Sequence, residues 1–140
     1  MYNAFFGPLP ETQKEFKIHL KKDFPVLYDT KYLQNNSNII AADIGFQMDL
    51  SSFYKAMLKY HNQEPKIEIA EGFDDYKLAA LDDESVASHE AGYDAMITGY
   101  VFFKSLGVLN MYNSLFDKTF VKRMKFYENR VFGKGDLEGL

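Results

Sequence analysis

The sequence predicts a helix-rich α/β or α+β domain, and three observations carry the prediction. Apolar residues recur at helical spacing over 50–60, 89–106 and 110–128. Two short runs, 26–30 and 66–72, have the β-rich or alternating makeup of strands, which favours a mixed fold over a helix bundle. Of 140 residues, 46% are apolar and 16% aromatic, enough for one packed core in a single domain over 1–140.

Taken in order, GPLPETQKEFKIHLKKDF reads as a turn followed by a helix. Pro10 suits the first helical turn, Glu11 and Glu15 its positive end, and Lys21 and Lys22 its negative end. Phe16 and Leu20, four apart, share the buried face. Phe24-Pro25 breaks that helix, and VLYDT (26–30) is a short β-rich run. Asp29 or Thr30 can cap a helical turn over Lys31 to Gln34. Asn35, Asn36, Ser37 and Asn38 form a polar loop. Leu50, Phe53, Tyr54, Met57 and Leu58 mark a helix over Leu50 to Tyr60. KIEIAEG (66–72) alternates and ends in glycine, as a strand does. Residues 73–87 form an acidic loop or short helical turns. A helix follows from His89 to Leu106, with Gly107 suiting its end. A last helix runs from Asn110 to about Glu128, with Met111, Leu115, Phe116, Phe120 and Met124 on one face. The glycines at 133, 135 and 139 mark a loose tail over 129–140.

The net charge of −4 and a pI near 5.3 exclude a broad basic surface. Any nucleic acid is therefore held by a few placed cations or through metal ions, not by a general positive field. The chain has no cysteine, hence no disulfide and no thiolate zinc site. Its apolar runs fall short of the roughly 18 residues of a membrane span, and MYNAFFGPLPETQKEF lacks a signal-peptide layout. The plain reading is a soluble intracellular protein without membrane contact.

The constellation with chemistry in it is His89 with Asp94. On an ideal helix five residues turn about 500°, which leaves the two side chains about 140° apart. They converge only if His89 sits at the helix entrance or in the preceding loop while Asp94 lies in the first turns. Gly92 suits that need by allowing close approach of backbone or substrate. A histidine near neutral pKa can take a proton from water and a carboxylate can anchor a hard divalent ion, which together suit metal-assisted hydrolysis. The spacing alone is common by chance and also fits a helix-capping histidine; the longer string around it carries the identification.

HEAGYDAMITGYVFF closely resembles the third exonuclease motif of the DEDDh 3′ exonuclease family, in its poly(A)-specific ribonuclease branch. PLPETQKEFK, FPVLYDTKYL and PKIEIAEGFDDY occur in the order and at about the spacing of that branch, so the resemblance covers about residues 7–107. The deadenylase of the Not complex shares an FP-x-x-YD-x-K string and a His-x4-Asp, with Gln and Ser where this chain has Glu90 and Tyr93; it ranks second within the superfamily. The resemblance implies a ribonuclease H-like fold, a mixed sheet flanked by helices, of which this chain supplies the C-terminal part. It implies a 3′-to-5′ exoribonuclease acting on the poly(A) end of RNA with two Mg2+ ions, in the nucleus or cytoplasm, in a branch whose members pair as homodimers. His89 takes the role of general base, Asp94 that of the fourth metal-binding carboxylate, and Lys31 that of a contact to the RNA backbone, which suits a point charge on a flexible stem. Asp29 in the same string is tempting as a metal ligand, but the family does not use it so, and capping the following turn is the better reading.

The family's other three carboxylates are an Asp-x-Glu on an early strand and an acid on a helix ahead of the Pro-Leu-Pro region. No Asp-x-Glu stands ahead of Asp82 in this chain, and Asp82, Asp83 and Glu84 belong to the acidic loop, where solvated charge is the ordinary reading. The expectation is a partial nuclease domain that holds no metal pair and is inactive alone. It is then a fragment awaiting an N-terminal nuclease segment in cis, a split-gene product working beside it in trans, or a non-catalytic remnant that binds RNA or protein. His19 and His61 read as surface residues and most aromatics as core. Lys118, Lys122, Arg123 and Lys125 form a basic stretch that is either a solvated face or one turned to RNA or a dimer partner.

Overall fold

The computed structural model describes residues 6–61, 64–72, 91–110 and 118–133. Six helices occur there: α1 Gln13–Asp23, α2 Thr30–Asn36, α3 Asn38–Ile44, α4 Leu50–Lys59, α5 Ala91–Asn110 and α6 Lys118–Tyr127. The starts of the first three are each set by a side chain that satisfies the orphan amides of a first turn. Thr12 and Glu15 form a reciprocal capping box at α1, with Thr12 Oγ1 accepting from Glu15 N–H at 3.2 Å. The helix therefore starts at Gln13, and Pro10 lies ahead of it rather than in its first turn. Asp29 caps α2 and Ser37 caps α3. The polar stretch 35–38, expected to be a loop, is thus a one-residue joint between two helices. Asp49 does the same for α4, whose bounds match the spacing of its apolar residues.

The 20-residue α5, about 30 Å long, is the element on which α2, α3 and α4 pack. Ile97, Val101, Val108 and Leu109 meet Phe53, Met57, Leu33 and Ile40 in the core, all at most 2% exposed. Phe120, Met124 and Tyr127 add the buried side of α6. By contrast α1 has no buried residue; Phe16 and Leu20 are only half-buried. Gly107 does not end α5, which runs on to Asn110. A methyl group at 107 would strike the carbonyl oxygen of Glu64, so this glycine lets the 64–65 backbone cross the helix in contact with it. One turn earlier, Lys104 Nζ donates to the Pro65 carbonyl at 3.0 Å.

The helix-rich expectation holds, but no strand forms among the described residues. The alternation of 66–72 does not become a strand; that segment continues the 64–65 backbone laid against α5, with no strand beside it among the described residues. The 26–30 run contributes one isolated parallel bridge, Tyr28 to Arg130. Around that bridge residues 129–133, expected to open a loose tail, are tied down. Leu27 N–H donates to Asn129 Oδ1 at 3.0 Å and Asn129 Nδ2 to the Pro25 carbonyl at 3.1 Å. Asn129 N–H donates to the Leu27 carbonyl at 2.8 Å, and its φ of 58° suits an asparagine. The acidic stretch 73–87, residues 111–117 of the expected last helix, and the tail beyond 133 lie outside the described residues.

Candidate functional site

Asp94 stands in the first turn of α5 and is exposed. It is seven residues before Val101 and fourteen before Val108, which places it within about 40° of their direction around the helix. Val101 and Val108 are buried. Asp94 thus occupies the outward extension of the core-facing stripe, at the mouth of the packing rather than on the solvent-facing back. The Thr98 hydroxyl donates to its main-chain carbonyl at 2.7 Å, not to its carboxylate.

Behind the mouth lies a tyrosine cluster. Tyr54 of α4 and Tyr100 of α5 meet edge-to-face with centroids 5.0 Å apart. Burial pushes both hydroxyls above the usual tyrosine range, and for Tyr54 the neighbouring Tyr93 and Tyr100 add to it. Both therefore stay neutral wherever a nuclease works, and neither serves as a base. His89 and Glu90, with Asp82, Asp83 and Glu84, fall outside the described residues, so Asp94 is the part of the expected pair that has a geometry.

Lys31 lies in the first turn of α2, exposed. Its Nζ donates to the Met48 carbonyl at 3.3 Å and lies 5.2 Å from the centroid of the Phe132 ring. Among the described residues no hydrogen bond or ion pair joins Lys31 to Asp94. Asp29 is fully engaged in structure. Its Oδ1 accepts from the amides of Lys31 at 2.8 Å and Tyr32 at 3.1 Å, and its Oδ2 from Phe132 N–H at 3.0 Å. The basic stretch of α6 is partly structural too. Arg123 donates to the Leu109 carbonyl at 2.7 Å, and Lys125 pairs with Glu128 at 3.0 Å. His61 is exposed, and its ring lies tilted against that of Tyr60 with centroids 4.4 Å apart.

Sequence reasoning missed Phe132, whose place beside Lys31 depends on a contact 103 positions distant; no local signal announces it. A divalent ion needs several oxygen or nitrogen donors around one point. Among the described residues no three His, Cys, Asp or Glu side chains gather in that way. One exposed carboxylate does not fit a two-metal centre, so these residues support no catalytic step through metal ions by themselves. Among them no helix is long and apolar enough to cross a membrane.

Comparison with known proteins follows the same stretch of chain. Residues 1–102 match the CAF1 family ribonuclease pattern. The chain is 36% identical to the poly(A)-specific ribonuclease PARN of Homo sapiens over 112 residues, 80% of this chain and 16% of that protein. It is 28% identical to the pre-piRNA 3′-exonuclease trimmer of Bombyx mori, across 74% of this chain and 19% of that one. With the PARN of Arabidopsis thaliana it shares 27% identity across 98% of this chain and 22% of the relative. The chain therefore spans about a fifth of the length of these relatives. No solved structure matches it significantly.

Proposed function

The chain belongs to the CAF1 family of ribonucleases, and from that we propose that it is the C-terminal part of a 3′-to-5′ exoribonuclease domain that shortens the poly(A) tails of RNA. The observation that carries the proposal is the exposed Asp94 in the first turn of α5, inside the HEAGYDAMITG string. A family of ribonucleases implies an RNA substrate; the adenosine preference rests on the names of the relatives above. In this reading His89 is the general base toward water, Asp94 a metal-binding carboxylate, and Lys31 a contact to the RNA backbone. The family site uses divalent metal, and we assign it two Mg2+ ions. Two metals require more carboxylates than Asp94. The remaining ones then come from a further nuclease segment, in cis or in trans, which also completes the ribonuclease H-like sheet. Pairing of two copies into a homodimer, as in the resembled branch, belongs to the same proposal, as does action in the nucleus or cytoplasm.

A second reading draws on the missing donor group: the chain is a non-catalytic RNA- or protein-binding remnant of the fold. Trimming of labelled oligo(A) in magnesium separates the two. The chain alone shows little or no release of nucleotides, whereas a complete domain containing it is active. In that complete domain His89→Ala and Asp94→Asn abolish turnover, and Lys31→Ala mainly raises KM. Full turnover in Asp94→Asn would remove the metal role, and robust trimming by the chain alone would remove the need for a further segment.

A further inference from the structure

The pair formed by Lys31 and Phe132 asks for an explanation that packing does not provide. An exposed phenylalanine by itself is ordinary. This one is 45% exposed and yet held in place by a set of long-range bonds. Its amide donates to Asp29 Oδ2, the bridge of Tyr28 to Arg130 lies two residues before it, and Asn129 is fastened to Pro25 and Leu27. The same Asp29 caps the helix that carries Lys31. One carboxylate thus anchors both the backbone that carries the cation and the backbone that carries the ring. The ammonium sits 5.2 Å from the ring centroid, and the residue keeps 45% of its surface exposed.

We propose that Phe132 is a stacking platform for a base of single-stranded RNA, set beside the cation that takes that strand's phosphate. This rests on the reading of Lys31 as an RNA contact. Single strands are bound by this combination: a cation that neutralises the backbone and an aromatic ring on which a base lies flat. The chain's net charge of −4 makes the pairing more necessary, because no general positive field helps. Anchoring the backbone that carries the ring in advance removes part of the entropy that a segment ordered only on binding loses. Phe132 lies beyond residues 1–102, the reach of the family match.

The chain contains no tryptophan, so Phe132→Trp places a single fluorescent reporter at the site. Titration of the full chain with oligo(A) should quench that fluorescence, while an abasic ribose-phosphate oligomer should not. Phe132→Leu, which keeps bulk without an aromatic face, should weaken oligo(A) binding by roughly five- to a hundredfold. It should leave the dependence of log affinity on log salt unchanged. Lys31→Ala should instead flatten that slope by about 0.7. Unquenched indole fluorescence in Phe132→Trp, together with wild-type affinity in Phe132→Leu, overturns the platform while leaving Lys31 in place. A lost slope change in Lys31→Ala with the Phe132 effects intact overturns the Lys31 reading alone. Absence of any oligo(A) binding by the wild-type chain overturns both, and binding of protein rather than RNA at this face does the same. Thermal unfolding monitored by circular dichroism, unchanged in Phe132→Leu, keeps the loss of binding from being a loss of fold.

Discussion

From Ile97 to its end, α5 hides seven residues against the rest of the molecule, whereas its first turn, which carries Asp94, hides none. The two stretches share one stripe of the helix, yet one is under packing constraint and the other is not. Close-packed interiors fix side chains by their neighbours; a carboxylate that must meet water, substrate or ions has to stand where the neighbours stop. The same division separates α4, with Phe53, Tyr54 and Met57 buried, from α1, which is held by its capping box and buries nothing. The buried residues lie where helices cross α5, and Asp94, the carboxylate of the family string, stands just past that crossing.

The largest effect that would sharpen this contrast is at Phe53, 2% exposed in the α4–α5 contact. Phe53→Ala removes a large buried side chain and leaves a cavity, at a cost of about 3–5 kcal/mol. Urea unfolding reads it as a lower midpoint with the slope kept. A loss under about 1 kcal/mol would mean that the crossing is not where stability lies.

Next comes Gly107. The methyl group of an alanine there would meet the Glu64 carbonyl oxygen and the Pro65 ring. A backbone atom cannot swing aside as a side-chain end does, so either the 64–65 segment lifts or α5 shifts. The expected cost of Gly107→Ala is about 1–3 kcal/mol, against the small gain that Gly→Ala gives in an open helix. Lifting the segment also separates Pro65 from Lys104, whose amine is buried and held below its ordinary pKa by desolvation, which Glu64 partly opposes. Measured stability equal to or above wild type would show that the close crossing carries no weight.

How far these features are readable without coordinates depends on the range of the signal. Helix α4 follows from the spacing of Leu50, Phe53, Tyr54, Met57 and Leu58, and the cap at Asp29 from residue type; both are interactions within four residues. The capping box at Thr12 is equally local, but Pro10 offers a competing start. Asn35 to Asn38 resemble a loop because polar residues favour turns, while Ser37 in fact caps a following helix that runs Asn38–Ile44. The alternation of 66–72 needs neighbouring strands to become a strand, and no pattern within the segment tells whether they are present. Gly107 has the composition of a helix end, and its actual work, clearance for Glu64, depends on a distant part of the chain. At the site, helical spacing over 89–106 puts Asp94 on a helix, and it stands in the first turn of α5, a local property. Phe132 beside Lys31 depends on a bond spanning 103 residues, and such pairs leave no periodic trace.

The smallest expected effect tests the other side of the contrast. Asp94→Asn replaces an exposed carboxylate whose side chain carries no packing, and the polar shape is kept. An acid in the first turn does interact favourably with the helix dipole, but at a surface position that is worth only about a few tenths of a kcal/mol. Stability should therefore change by no more than about 0.5 kcal/mol, while the complete nuclease domain loses turnover. The two measurements must be made on the same protein, since a variant that unfolds also loses activity. If Asp94→Asn costs about 2 kcal/mol or more, the first turn is part of the packed structure after all. The loss of turnover would then say nothing about metal or substrate. If stability holds and activity disappears, the carboxylate is spent on chemistry, and the end of α5 is kept free of packing so that it can be.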